Sequence, residues 1–215
     1  MKILTNPQCS MAWQDNRIGY ITGSNAKLIA STGEMNKKYR NKIACERILG
    51  RSLDVDISHL EDIARGNDDE KLARLSFESK TALMIEEVGF IISEKYEGVG
   101  CSIDGFIDGR KGIVEIKCPK PENHIKYLLA NKLPCDHKDQ CFHNTLCAEA
   151  EYCAFVSYCK EFKPYGLDTF IHIFRAKDNE EKINIYEEKL INFSKEVNET
   201  VEYLKSYNQD LGALL

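Results

Sequence analysis

The stretch CSIDGFIDGRKGIVEIKCP, residues 101–119, decides how this chain reads. Asp108-Gly109 followed by Arg110 to Gly112 is a hairpin signal between two apolar runs, because Asp and Gly accept the left-handed backbone of tight turns. Folding the chain about the Gly109–Arg110 midpoint sets Asp104 opposite Glu115. Side chains across an antiparallel pair lie about 4.5–5.5 Å apart, and like charges there repel. A hard divalent cation offsets that repulsion. Strand alternation puts Lys117 on the face of Glu115, with Val114, Ile116 and Cys118 pointing into the core. An ammonium beside a carboxylate-bound cation helps position a water and offsets charge developing on a phosphate. Asp–hairpin–Glu-x-Lys therefore suits metal-assisted phosphodiester hydrolysis. The same spacing also fits a surface hairpin with a cross-strand salt bridge, and a register read from a turn can slip by a residue.

Working outward, Phe90-Ile91-Ile92, Val99 to Ile107 and Gly112 to Cys118 read as short strands separated by glycines. Tyr152 to Tyr158 and Asp168 to Arg175 are two more, the second alternating Phe170, His172, Phe174 against Ile171, Ile173, Arg175. Ser24 to Ala30 reads as a short helix with Ser24 as N-cap. Asn36 to Leu49 is a basic helix with Tyr39, Ile43 and Leu49 apolar and Gly50 as its stop. The spacing predicts further helices from His59 to about Leu83, over His124 to Asn131 and around Lys138 to Glu151. Asp178 with Glu181 makes a capping-box start for the last helix. Ile183, Tyr186, Leu190, Phe193, Val197, Val201 and Leu204 form its apolar stripe, at steps of three and four. Helices, a β-meander, helices, two strands and a helix make an α/β sandwich with a central mixed sheet.

Composition bounds the rest. The 215 residues are 43% hydrophobic and 29% charged, which excludes a disordered chain and fits one domain over 1–215. No run approaches 18 apolar residues, so no membrane span is expected. MKILTNPQCSMAWQ lacks the apolar core of a secretory signal, so the chain reads as soluble and intracellular. The net charge of −5 hides an asymmetry: residues 1–53 hold nine Lys/Arg against Asp15, Glu34 and Glu46, a net of +6. That leaves room for a local anionic partner, or for a solvated basic helix face.

Nine cysteines are an odd number, and Cys135, Cys141, Cys147, Cys153 and Cys159 recur every six residues. Six residues turn a helix by about 600°, so consecutive members of the series point in three directions and share no ligand face. With His137 and His143 a metal site stays open, but no CxxC pair is present. Small buried hydrophobes are the reading adopted, with no zinc or cluster expected.

SIDGFID…GIVEIKCP resembles the PD-(D/E)xK nuclease signature, with Ile103 where proline is usual. The chain resembles more closely the lambda-exonuclease (YqaJ-like viral recombinase) family. Three blocks carry the likeness in order: Trp13…Arg17-x-Gly19-x-Ile21-Thr22-x-Ser24; Arg65-Gly66-x-x-x-Glu70-x-x-Ala73-Arg74; then Cys101-Ser102-Ile103-Asp104-Gly105 with Glu115-Ile116-Lys117-Cys118-Pro119. The strand and helix bearing Phe174, Arg175 and Asp178 are also similar.

The resemblance implies a restriction-endonuclease-like core and Mg²⁺-dependent (or Mn²⁺-dependent) 5′→3′ digestion of linear double-stranded DNA, leaving 3′ single strands. It implies metal binding by Asp104, Glu115, the Ile116 carbonyl and Glu70, with Lys117 catalytic. Arg17, Ser24 and Ser102, with Trp13 nearby, would hold the terminal 5′-phosphate: a guanidinium forks onto phosphate and a helix N-terminus adds N–H donors. It further implies a homotrimeric ring, its +6 regions turned inward and its acidic C-terminal helices outside, and a single-strand-annealing recombinase as partner. The location implied is the cytoplasm of a phage-bearing bacterium or of a virus-infected cell. One block departs. Where the family has a Gln-x-Gln pair, this chain reads Ala148-Glu149-Ala150-Glu151-Tyr152, so either Glu151 (with Glu149) acts through the metal or a lysine, or the alignment is displaced there. Rival readings are another PD-(D/E)xK nuclease, either an endonuclease or an iron–sulfur type, and a catalytically silent DNA-binding subunit.

Overall fold

The computed structural model describes residues 1–54 and 61–210, with side chains over 1–54 and 68–207. Lys2–Ile3 (β1), Ile21–Thr22 (β2), Ile91–Ile92 (β3) and Val99–Cys101 (β4) form one sheet, in the order β1-β3-β4-β2. Gly105–Ile107 (β5), Gly112–Lys117 (β6), Tyr152–Tyr158 (β7) and Thr169–Arg175 (β8) form a second, in the order β5-β6-β7-β8. Each sheet contains a parallel pair, β2 with β4 and β6 with β7, and is otherwise antiparallel. The helices are Met11–Asp15 (α1), Ala26–Ala30 (α2), Glu34–Leu49 (α3), Glu61–Thr81 (α4), Pro121–Ala130 (α5), Cys135–Cys147 (α6) and Glu180–Asp210 (α7). The architecture is the expected α/β one, with the mixed sheet divided into two halves. The expected helical start at His59 and the side chains of Arg65 and Gly66 lie outside the described residues.

The division falls inside the run read as one strand, Val99 to Ile107. The chain leaves the ladder between Cys101 and Gly105 because Gly105 packs against the 85–86 backbone. A Cβ there would meet Ile85 Cγ2 at 2.3 Å and the Glu86 carbonyl oxygen at 2.9 Å. Asp104 lies just outside β5, where its N–H still donates to the Val114 carbonyl at 3.1 Å. The hairpin register is the expected one, with Gly105 opposite Val114, Phe106 opposite Ile113 and Ile107 opposite Gly112. Asp108, Gly109 and Arg110 all have positive φ in its loop. Arg110 also reaches back to Glu86, its Nε donating to Oε2 at 3.0 Å.

Alternation along β6 sorts the two faces of its sheet. Val114 and Ile116 pack with Ala73 and Phe77 of α4, while Ile113 joins the larger core with Phe155, Phe170 and Phe174. Truncating the fully buried Phe77 to alanine removes an interaction of about 3–5 kcal/mol. α4 is fastened to β8 at its far end, where Lys80 Nζ lies 3.0 Å from Asp168 Oδ1.

Three boundary expectations and one of burial need correction. Ser24 is not an N-cap: it sits inside a 3-10 turn, Gly23–Asn25, and α2 follows with Asn25 at its cap and no side-chain cap bond. The tight turn brings Gly23 against α6. α6 ends at Cys147 rather than near Glu151, because the left-handed Glu149 (φ 53°) terminates it. α7 starts at Glu180 after a 3-10 turn over Ala176–Asn179 that carries no side-chain cap bond, so Asp178 does not cap it. The stripe from Ile183 to Val201 is buried as expected, but Leu204 is 39% exposed and Leu49 52%. Both lie at helix ends, beyond the last α3–α7 bridge, in which Arg47 reaches Asn198.

The charge asymmetry also resolves differently. α3 lies directly on α7, with Tyr39 stacked on Phe193 at 5.4 Å and Arg40 paired to Glu196 at 2.7 Å. The basic α3 and the acidic α7 are thus neighbours in one chain, joined by that ion pair. Among the six-spaced cysteines, Cys141, Cys147, Cys153 and Cys159 are buried and Cys135 is exposed, and all nine cysteines are free thiols.

Candidate active site

Asp104, Glu115 and Lys117 meet where β5 stops and β6 continues. Once its antiparallel neighbour has ended, the Ile116 N–H faces an open edge and donates to Asp104 Oδ2 at 2.5 Å. A strand residue's N–H and C=O leave on the same side, so the Ile116 carbonyl opens onto that space too. Glu115 is only 2% exposed. Its Oε1 lies 2.5 Å from Lys117 Nζ, and its Oε2 accepts from Asn144 Nδ2 at 2.8 Å.

The electrostatics follow from burying two acids with one base. Burial first, and then the charge of Glu115, push the Asp104 carboxyl up to about 8 against the pull of Lys117; Glu70 adds to the rise. Burial works to deprotonate Lys117, but Glu115 and Asp104 outweigh it and hold the ammonium above its usual range. Glu70 on α4 is gripped by Arg74, whose NH2 lies 2.6 Å and Nε 3.2 Å from Oε1. Among the described residues, no three His, Cys, Asp or Glu side chains are gathered closely enough to hold a metal ion. The donors on offer are the facing Asp104 and Glu115 carboxylates and the Ile116 carbonyl, with Glu70 at a longer range. All are hard oxygens, and Asp104 is held up first by burial and then by the Glu115 charge, which is the chemistry a cation such as Mg²⁺ fits.

The residues expected to hold a phosphate are polar groups with unmet capacity. Arg17 follows α1 and lies over the Trp13 ring, 4.3 Å from its centroid. Desolvation lowers its pKa. Among the described residues it makes no ion pair, and its Nε, the Trp13 Nε1 and the Ser102 Oγ are buried without hydrogen-bond partners. The α1 segment is tied to the Asp104 loop by Gln8, whose Nε2 donates to the Ile103 carbonyl at 2.6 Å and to the Val88 carbonyl at 3.0 Å. Ser24 is exposed, with its Oγ 3.2 Å from Thr22 Oγ1.

Glu149 and Glu151 are not part of this arrangement. Glu149 pairs with the N-terminal amine at 3.0 Å. Glu151 is exposed, and its N–H donates to the Lys111 carbonyl at the hairpin end of the sheet. It sits four residues, about 13 Å along β7, before Phe155, the register partner of Glu115. The helix had already ended, so neither glutamate projects from α6.

Residues that sequence reasoning missed occupy the same face. Asn144 is one. Its only sequence signal is a polar His143-Asn144-Thr145 triplet within a helix otherwise expected to bury small apolar residues; all three are fully or nearly fully buried. His137, considered only as a metal ligand, instead stacks on Phe155 at 5.2 Å, with Tyr127 Oη 3.2 Å from its Nε2. Burial, and then the nearby Lys117 charge, lower the His137 pKa to about 4.

Comparisons with known proteins bear on the family and the fold. An alkaline exonuclease (LHK-Exo) from Laribacter hongkongensis superposes with a TM-score of 0.84 at 26% identity, over 94% of this chain and 100% of that one. The same enzyme in complex with dAMP gives 0.82 at the same identity and coverage. A phage related exonuclease from Haemophilus somnus 129PT shares the fold, with a TM-score of 0.63 at 12% identity over 89% of this chain and 99% of that one. No curated protein matches the sequence. The model of the YqaJ-like viral recombinase domain matches residues 12–151, a span holding α1, both halves of the hairpin and α6, and the chain belongs to that family.

Proposed function

We propose that the protein is a divalent-cation-dependent DNA exonuclease that digests linear duplex DNA from its 5′ end in the 5′→3′ direction, leaving 3′ single strands for recombination. The observation that carries this reading is the pair of facing carboxylates, Asp104 and Glu115, with Lys117 Nζ 2.5 Å from Glu115. The exonucleases similar in fold and sequence support the substrate class.

In this reading Asp104, Glu115 and the Ile116 carbonyl hold the cation, Mg²⁺ or Mn²⁺, with Glu70 completing the acidic cluster. A bound divalent cation would polarise a phosphoryl oxygen and lower the pKa of a coordinated water. Lys117 keeps its proton under the combined field of the two acids, so it acts as a fixed positive charge toward phosphate. Arg17 supplies a guanidinium fork that makes no ion pair among the described residues, and the Ser102 hydroxyl and Trp13 indole add donors for a terminal 5′-phosphate. Ser24 joins through its exposed hydroxyl. The chain is one catalytic domain over 1–215, assembled as a homotrimer inside the host cell and working with a single-strand-annealing recombinase; these statements rest on the family likeness. Among the described residues no helix is long and apolar enough to cross a membrane.

The deciding experiment compares linear duplexes bearing 5′-phosphate or 5′-hydroxyl ends with a closed circle, with Mg²⁺ and with EDTA. The expected result is Mg²⁺-dependent loss of the linear forms, faster from phosphorylated ends, with the circle intact. Cleavage of the circle would make the protein an endonuclease, and no cleavage at all would leave it a DNA-binding subunit.

A further inference from the structure

Asn144 has no place in the chemistry described so far, yet it touches both halves of the site. Its side chain is 0% exposed. Nδ2 donates to Glu115 Oε2 at 2.8 Å, while Lys117 holds the other carboxylate oxygen at 2.5 Å, so the plane of the Glu115 carboxylate is fixed from both ends. The amide oxygen points the other way and is buried without a hydrogen-bond partner. It rests where Gly23 lacks a side chain: a Cβ on Gly23 would lie 2.1 Å from Asn144 Oδ1 and 3.1 Å from its Cγ.

The neighbouring residue stops α6 from backing away. His143 Nε2 is 3.0 Å from the Gly100 carbonyl oxygen, and its Nδ1 is 3.0 Å from Tyr186 Oη. A carbonyl can only accept, so Nε2 carries the proton and Nδ1 accepts from the tyrosine. Gly100 is also the ladder partner of Thr22, the residue before Gly23. One turn of α6 is therefore bolted to the β2–β4 ladder through His143 and to β6 through Asn144, bridging the two half-sheets.

We infer that Asn144 is a positioning residue that orients Glu115 for cation binding and, by seating its amide on Gly23, sets the distance from the carboxylate pair to the Thr22–Ser24 turn. This rests on the nuclease reading above. The chemistry selects asparagine: aspartate would add a third carboxylate, and leucine would fill the space without donating. Glycine at 23 follows from the same contact, since its φ is not in the left-handed region and only the close approach excludes a side chain. Groups that orient metal ligands typically change metal affinity or activity by about 10–100-fold when removed.

The test uses the full chain without DNA turnover. Mn²⁺ binding is followed by loss of the free-ion electron paramagnetic resonance signal, and duplex ends with and without 5′-phosphate are bound in EDTA. Asn144→Leu is expected to weaken Mn²⁺ binding about 10–100-fold at a near-native melting temperature. Gly23→Ala, by pushing the amide off Glu115, is expected to weaken it in the same direction and to reduce the preference for phosphorylated ends. In an Asn144→Ala background Gly23→Ala is expected to change Mn²⁺ affinity little further, because the clash has been removed. Should Asn144→Leu not fold, that cycle decides alone. Native Mn²⁺ affinity in Asn144→Leu, or additive effects in the cycle, would overturn the inference while leaving the nuclease reading intact. A native protein that neither binds Mn²⁺ nor cleaves DNA would overturn both.

Discussion

Two regions of this molecule are unbalanced in opposite senses. At the end of the β5–β6 hairpin, acceptors are in surplus: Asp104 and Glu115 share one lysine, and the Asp104 carboxyl is pushed up to about 8. Around α1 and the Cys101–Asp104 loop, donors are in surplus: among the described residues nothing accepts from the buried Arg17 Nε, Trp13 Nε1 and Ser102 Oγ. Buried polar groups are ordinarily paired, and each unmet one costs about 1–3 kcal/mol. In the nuclease reading proposed above, the surplus acceptors would take a cation and the surplus donors an anion. Gln8, bonded to the Ile103 carbonyl, ties the second region to the first. A phosphate held by the donors would then be delivered beside the acceptors.

The contrast breaks most completely if the acceptor region is emptied. Asp104→Ala and Lys117→Ala are each expected to drop cleavage of linear duplex below detection while the far-ultraviolet circular dichroism stays native. Activity near the native rate in either variant would remove the hairpin from the chemistry.

Emptying the donor region is expected to cost less. A charge-assisted hydrogen bond to phosphate contributes about 1.5–3 kcal/mol, so Arg17→Ala should lower the rate on 5′-phosphorylated ends about 10–100-fold and leave 5′-hydroxyl ends nearly unchanged. The ratio of initial rates on the two substrates checks this. A variant that loses both rates equally would show Arg17 to be structural.

A pH series sharpens the difference further. In the cation-free protein Asp104 titrates near 8, above the 3.8 of an unperturbed carboxyl. The folded state therefore holds the extra proton between those values, and its stability is lost as pH rises through the window. Asp104→Asn should remove that loss, so its melting temperature should gain on the native protein by several degrees between pH 5 and pH 9. The buried His143, held near 4 by desolvation, has the opposite sign: its contribution is complete above about 6.5 and is lost as pH falls toward 4. It is present in both proteins and cancels in the difference. A constant offset between the two melting curves would mean that Asp104 is not strained.

The smallest effect is expected at the far end of the sheet. Glu149→Gln and Glu151→Gln should each leave kcat/KM within about twofold, because a surface charge remote from the reacting centre contributes little. A tenfold loss in either would show that DNA also runs along the hairpin end.

The sequence by itself determined whatever depends on neighbours along the chain. The Asp104–Glu115 pairing follows from eleven positions of hairpin with Asp108-Gly109 at the turn, and local turn geometry is enough to set that register. The Glu115–Lys117 face and the α7 stripe from Ile183 to Val201 follow from the strand and helix periods in the same way. Tertiary structure alone decided the rest. Ser24 reads as a cap because serine favours that position, yet the approach of Gly23 to α6 turns the segment into a 3-10 helix. Glu149 and Glu151 read as helical because the pattern carries no stop, yet α6 ends at Cys147 and Glu149 itself takes the left-handed conformation. Asn144 reads as an unremarkable polar residue, since nothing along the chain reveals a carboxylate 29 positions earlier in sequence and 2.8 Å away in space. Local sequence fixes direction and register, whereas the partner of a buried polar atom is chosen only when distant segments close around it.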